Sequence, residues 1–288
     1  MLPPAAIFDC QRQARRYNIN KQFMAIVETR ELTRKFGSFT AVDSLSIHVE
    51  TAEAFALLGP NGAGKTTAIK MLTTLLPVTS GEAFICGFNI TKQPNKVRRV
   101  IGYVPQMISV DGTLTGMENL LLFARLYDIP SKECKPRALD ALAFMGLKDA
   151  AKKPVREYSG GMIRRLEIAQ SMLHRPPVLF LDEPTVGLDP IACKTVWDHI
   201  LQLKKEYNTT ILMTTHLMDE ADHLCNHIAF MSRGKLVACG TPQELKDSIH
   251  KPEATLEDAF IHYTSETLSE ENAFREVSRE RRTTKRLG

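Results

Sequence analysis

A buried strand that runs straight into a glycine-rich turn and then a helix leaves a chain few folds to choose from, and residues 54–76 carry that pattern. Ala54-Phe55-Ala56-Leu57-Leu58 is an apolar run of strand length, Gly59-Pro60-Asn61-Gly62-Ala63-Gly64-Lys65-Thr66 follows, and a helix is predicted from Thr66 to about Leu76. The octapeptide matches G-x-x-x-x-G-K-[ST] in the strand–turn–helix context which that motif requires. Glycines let the backbone curl so that successive N–H groups face an anion, and the helix brings its positive end to the same spot. Lys65 then reaches the terminal phosphates of a nucleoside triphosphate, and the Thr66 hydroxyl is suited to ligate Mg²⁺. The motif alone does not separate kinases, GTPases and ATPase motors.

A second strand supplies the acids. Val178-Leu179-Phe180-Leu181 is a continuous apolar run, as in strands buried on both faces, and Asp182-Glu183 end it. Ligands of open α/β sheets bind at the carboxyl edge of the strands. Asp182 is therefore a candidate to hold Mg²⁺ through water, and Glu183 to act as general base toward the attacking water, an effect typically worth ~10²–10⁴ in rate.

Elsewhere the pattern alternates. Short strands with turn signals occupy 26–50, and further strands are predicted at 82–86, 100–104, 210–214, 228–231 and 235–238, with a turn at Arg233-Gly234. Residues 117–127, 133–145 and 162–173 carry apolar positions at helical spacing, so 107–172 reads as a helical insert, and 190–207 as a further helix. Alternating strands and helices predict an α/β fold with helices on both faces of the sheet. Residues 1–23 look detached from the domain that opens at Met24, and are expected to be a disordered extension. From about Ser265 the chain alternates Glu and Arg with few apolar residues, which predicts a mobile tail or a lone solvated helix.

Tyr158-Ser159-Gly160-Gly161-Met162 opens the helix that precedes the acidic strand. Ser159 is a good N-cap, and the two glycines expose backbone N–H groups at a helix N-terminus, making a second anion site. One domain rarely needs two such helix ends for one nucleotide. Two copies arranged head to tail use both, the loop at Lys65 from one and the cap at Ser159 from the other.

These segments, in this order, resemble the ABC ATPase family over about residues 24–245. The resemblance implies a P-loop NTPase (RecA-like) core with an N-terminal antiparallel β subdomain and an inserted α-helical subdomain. The Ser159 segment is similar to the family signature, with Tyr158 for the commoner Leu and Met162 for Gln, while Ser159, Gly160 and Gly161 are retained. Gln106, closing Ile101-Gly102-Tyr103-Val104-Pro105, resembles the Q-loop glutamine, implied to sense Mg²⁺ and γ-phosphate. Asp189, after Gly187-Leu188, resembles the D-loop residue at the dimer seam. His216, after Thr214-Thr215, resembles the switch histidine on γ-phosphate, and Phe36 the aromatic that stacks on adenine. The resemblance thus implies ATP and Mg²⁺ as cofactors. It gives Glu183, His216 and Lys65 catalytic roles. Residues 59–67 with Thr67 included, Gln106, Ser159, Gly160, Gly161, Asp189 and Phe36 hold nucleotide, and Thr66, Gln106 and Asp182 hold the metal.

Thr113-Leu114-Thr115-Gly116-Met117-Glu118-Asn119-Leu120, the run after Lys235 to Leu245, and Thr255-Leu256-Glu257-Asp258-Ala259-Phe260 resemble the daunorubicin-resistance-type branch of ABC exporters. That implies a separate membrane permease of the ABC-2 type, a working pair with an identical or paralogous ATPase, and a peripheral position on the cytoplasmic face of the membrane. The cargo is left open between drugs, lipids and other small molecules. A soluble ABC ATPase acting on ribosomes or DNA is the alternative, against which stand one ATPase module and no long coiled-coil insertion.

Composition agrees with a globular domain: 288 residues, 43% hydrophobic and 24% charged. A formal net charge of +4 gives no concentrated basic face, so no nucleic acid is expected. No run approaches the roughly 18 apolar residues of a spanning helix, and the order of apolar and basic residues in 5–16 is the reverse of a secretory signal. The six cysteines form no C-x-x-C pair, so they are expected to be reduced. His216, Asp219, His223, Cys225 and His227 crowd together without an H-E-x-x-H pattern, and no metal is assigned to them.

Overall fold

The structure, a computed structural model, describes residues 25–265, so the expected N-terminal extension and the charged tail lie outside it. The elements in chain order are β1 (Val27–Phe36), β2 (Phe39–Leu45), β3 (His48–Val49), β4 (Ala54–Leu58), α1 (Lys65–Leu72), β5 (Ser80–Ile85), β6 (Phe88–Asn89), α2 (Pro94–Val100), β7 (Ile101–Val104), α3 (Gly116–Leu126), α4 (Ser131–Phe144), α5 (Gly160–Met172), β8 (Val178–Asp182), α6 (Pro190–Tyr207), β9 (Thr210–Thr215), α7 (Met218–Leu224), β10 (His227–Ser232), β11 (Lys235–Gly240) and α8 (Pro242–Asp247). Residues 256–265 are helical as well.

Among the described residues the strands form two sheets. One runs β11-β10-β4-β9-β8-β7, with β10 through β7 parallel and β11 folded back antiparallel at the edge. The other is antiparallel, in the order β2-β1-β5-β6 with β3 beside β1. Strand geometry sends successive side chains to opposite faces, and β4 shows what this does. Ala54, Ala56 and Leu58 join Leu179, Leu181 and Phe230 in a core shared with α5, α6 and α7. Phe55 and Leu57 join Phe180, Leu212 and Met231 in a second core shared with α1 and the antiparallel sheet. A strand covered on both faces must be apolar throughout, which is why β4 and β8 read as unbroken apolar runs.

Between β7 and β8 the chain leaves the sheet for α3, α4 and α5. Thr115 opens α3 with a capping box, its hydroxyl accepting from Glu118 N while the Glu118 side chain accepts from Thr115 N. A turn also hydrogen-bonds one sheet to the other. Gly234, between β10 and β11, donates its N–H to Ala63 O and accepts from Asp43 N, so it ties the glycine-rich loop to β2.

Several elements differ from the sequence-based expectation, β6, α7, α8 and the 256–265 helix among them. α1 stops at Leu72 rather than Leu76, because Thr74 turns left-handed (φ 63°) and the N–H groups of Leu75 and Leu76 both fold back onto Lys70 O. α2 went unread, since it buries only Val97 and Val100, too few positions for a helical period.

Candidate active site

The chemistry gathers where the parallel strands end. β4 delivers the Gly59–Thr66 loop, β8 delivers Asp182 and Glu183, β9 delivers Thr214 and leads to His216, and β7 leads to Gln106. Phe36, Asn61, Gly62, Ala63, Gly64, Lys65, Thr66, Thr67, Gln106 and Glu183 line a single cleft of about 410 Å³, together with Phe39 and Ala41. The loop requires glycine at Gly64, which has φ 101° and where a Cβ would sit 2.4 Å from Ala41 O.

Glu183 is the centre of the cluster. Its carboxylate is almost fully buried and ion-paired with Lys65, Nζ to Oε1 at 3.3 Å. Gln106 Nε2 donates to its other oxygen at 3.2 Å. His216 Nδ1 lies 3.4 Å from that same oxygen, without hydrogen-bond geometry. Lys65 completes its three donors on Gly59 O (2.7 Å) and Pro60 O (3.1 Å). Beside it, the Thr66 hydroxyl donates to Asp182 Oδ1 at 3.0 Å and the Thr214 hydroxyl to the same oxygen at 2.6 Å. A Thr hydroxyl, an Asp carboxylate and the Gln106 amide are all hard oxygen donors, a set that fits Mg²⁺ better than a soft metal.

Ser159, Gly160, Gly161 and Asp189 do not line this cleft. Ser159 caps α5, accepting from Met162 N at 3.3 Å, and Asp189 caps α6, accepting from Ala192 N. The two helix starts touch, for a Cβ on Gly161 would approach Ala192 Cβ to 2.9 Å. Phe36 is 46% exposed at the cleft mouth, with the Arg34 guanidinium 4.5 Å from its ring centroid.

The profile of the ABC transporter family matches residues 42–186. Over 231 residues the chain is 43% identical to the daunorubicin/doxorubicin resistance ATP-binding protein DrrA of Streptomyces peucetius, covering 80% of this chain and 70% of that one. The chain belongs to the ABC transporter family. It is also 41% identical over 239 residues to the probable multidrug ABC transporter ATP-binding protein YbhF of Escherichia coli K12, where it covers 82% of itself and spans only 41% of that relative's length. The ATP-binding subunit of an ABC transporter superposes with a TM-score of 0.74 at 27% identity, over 83% of this chain and all of that one. A dimeric ATP-binding cassette bound to ADP and Pi superposes at 0.67 with 25% identity, over 75% and 98%. The ABC ATPase fold is thus shared throughout.

Phe39, Ala41 and Thr214 belong to the site without being marked in the sequence. Phe39 lines the cleft at 64% exposure, opposite Phe36 across the β1–β2 hairpin, and a second aromatic three residues after the first was the available signal. Thr214 binds Asp182 through its side chain, and its hydroxyl and carbonyl oxygens both accept from Glu183 N. Nothing in a buried Thr of a β strand announces that. The His-Cys crowd after β9 scatters: His223 lies against Trp197 from α7, Cys225 is a buried thiol whose pKa burial pushes up, and His227 stands on β10 paired with Glu53. His223 and His227 therefore share no helix face.

Proposed function

We propose that this chain is the ATP-hydrolysing subunit of an ABC exporter, driving a drug, lipid or other small molecule through a separate membrane permease of the ABC-2 type from the cytoplasmic face. Residues 24–245 are the ATPase unit, 107–172 its helical insert, and 246–288 a C-terminal extension. The observation that carries the chemistry is the convergence of Lys65, Gln106 and His216 on Glu183 at the mouth of the glycine-rich loop.

In this reading Phe36 stacks on adenine and residues 59–67 wrap the phosphates. Lys65 exchanges Glu183 Oε1 for a phosphate oxygen, which frees the carboxylate to accept a proton from the attacking water. His216 and Lys65 stabilise charge on the transferred phosphate. Thr66, Asp182 and Gln106 hold Mg²⁺, which neutralises phosphate charge when bound. Ser159, Gly160, Gly161 and Asp189 serve the nucleotide of a second copy, identical or paralogous. That they neither line the cleft nor hydrogen-bond to a residue lining it, as Gly59, Pro60 and Asp182 do, supports this, as does the dimeric relative. Closure of the pair is then linked to ATP binding, and hydrolysis releases it.

Partner docking is supported by Met107 and Ile108, 81% and 68% exposed directly after Gln106, with Leu122 and Leu126 exposed on α3. Among the described residues no helix is long and apolar enough to cross a membrane, in keeping with a permease on another chain. Relatives named for daunorubicin/doxorubicin resistance and as a probable multidrug ABC transporter protein favour export over action on ribosomes or DNA.

The test is capture from membranes. Tagged Glu183→Gln protein is extracted in mild detergent with MgATP and its companions identified. A multi-span membrane protein in stoichiometric amount is the expected result. Recovery only with ribosomes or DNA-bound proteins overturns the exporter reading.

A further inference from the structure

Arg164, on the second turn of α5, is buried to 6% exposure and uses all five of its N–H donors. Nε donates to Pro184 O at 2.8 Å. Nη2 donates to Asp182 O at 2.9 Å and to Glu183 O at 3.2 Å. Nη1 donates to Pro105 O at 2.7 Å and to Glu167 Oε2 at 3.1 Å. One guanidinium thus receives three consecutive carbonyls from the turn that carries Glu183, and a fourth from the residue before Gln106. Three carbonyls in a row can converge because Glu183 is left-handed, φ 48°, a conformation that strains a residue with a side chain and persists only when its surroundings enforce it. Glu167, itself buried, orients the guanidinium and uses its other oxygen to hold Ser109 through both N–H (2.6 Å) and hydroxyl (2.9 Å).

We infer that Arg164 is a positioning residue for hydrolysis: it fixes the backbone under Glu183 and Gln106 together, and locks both to the helix whose first turn carries the Ser159 cap. Arg164 lines no part of the cleft, so it acts through those residues. The fork geometry matters more than the charge. A lysine offers three donors from one point and cannot serve three carbonyls along the 182–184 turn and a fourth at Pro105. The coupling has a mechanical meaning as well. A rotation of α5 drags the base and the glutamine with it, so phosphate contact at the helix cap and carboxylate alignment in the same subunit are one event.

The inference rests on the assignment of Glu183 as the base, and the test separates the two. ATPase kinetics of the purified full chain are measured for wild type, Arg164→Lys, Glu183→Gln and the double variant, with equilibrium binding of a fluorescent ATP analogue and thermal melting beside them. Arg164→Lys is expected to lower kcat about 10- to 100-fold, the scale of a 1 Å misplacement, with KM and analogue affinity within about threefold. The double variant should turn over no more slowly than Glu183→Gln alone, because the arginine has no other route to the chemistry. Glu167→Gln, which keeps the packing, should show the same kcat-only loss in smaller measure, and it decides the matter if Arg164→Lys does not fold. Arg164→Lys turning over within threefold of wild type, or losing affinity in step with kcat, overturns the inference. So does a double variant whose losses multiply. Glu183→Gln turning over normally removes the base assignment itself, and a dead Glu183→Gln beside a fully active Arg164→Lys removes this inference alone.

Discussion

The Tyr158 hydroxyl occupies the space a side chain on Gly116 would need: a Cβ there would lie 2.3 Å from it, and the hydroxyl is fixed by donating to Ala150 O at 2.7 Å. The residue that departs from the commoner leucine of the signature segment is thus matched by a glycine at the start of α3. Gly116→Ala is expected to destabilise the chain by about 1–3 kcal/mol through overpacking, and Tyr158→Phe in the same chain to recover part of that loss. Urea unfolding of the two single variants and the double checks it. Additive losses would mean that the two residues do not share the space.

Glu183→Gln should bind MgATP with near wild-type affinity while turnover falls about 10²–10⁴-fold, the range of a lost general base. Lys65→Ala should instead lose binding, because Lys65 is the ammonium group lining the cleft at the glycine-rich loop. Filter binding and phosphate release, run on both proteins, separate these failures. Turnover by Glu183→Gln within a few-fold of wild type removes it as the base.

Thr214→Val keeps the shape of a fully buried side chain but deletes the hydroxyl between Asp182 and Glu183 N. The expected stability loss is about 1–3 kcal/mol, the cost of leaving a buried polar partner unmade, with kcat reduced and analogue affinity less affected. Denaturation alongside steady-state kinetics reads both.

Phe36→Ala should raise KM for ATP with little change in kcat. Stacking of a base on an aromatic is worth ~1–3 kcal/mol, or roughly 5- to 150-fold in affinity. Phe36→Tyr should restore it. An unchanged KM would shift the base to Phe39.

His174 follows α5, stacked on Tyr127 at 3.9 Å with its Nε2 bonded to Ile101 O at the foot of β7. Burial pulls its pKa down to about 4 from an ordinary 6.5. Between those values the unfolded chain binds a proton that the folded chain refuses. The contribution of His174 to stability is therefore full well above pH 6.5 and falls as pH drops toward 4, by about 3 kcal/mol at the lower limit. His174→Gln should flatten that slope in denaturant melts taken from pH 7.5 to pH 4.5, and an equal slope in both proteins refutes the assignment.

The parts of this molecule legible in its sequence are those where physics forces a residue type at a fixed spacing. The unbroken apolar runs of β4 and β8 follow from burial on both faces, and the Gly59–Thr66 loop needs its glycines for backbone shape. Pro190, following the Asp189 cap, sets the start of α6 where the sequence puts it. What stayed hidden rests on convergence across long separations. Arg164 meets Pro105 across 59 positions and Thr214 meets Asp182 across 32, and no periodicity marks such pairs. Arg164 and Thr214 look like ordinary helix and strand residues until the folded backbone brings carbonyls and acids to them.

The turn at Gly234 has a further consequence. It bonds the glycine-rich loop through Ala63 and β2 through Asp43, while Gly64 sits against Ala41 O too closely for any side chain. The hairpin bearing Phe36 and the loop bearing Lys65 are therefore riveted into a single jaw, and the span between aromatic ring and ammonium cannot stretch to suit the guest. With the roles proposed for Phe36 and Lys65, the cleft would work as a calliper: it would gauge a nucleotide by length, and one whose phosphate chain is too short would grip at one tip and leave the other without purchase.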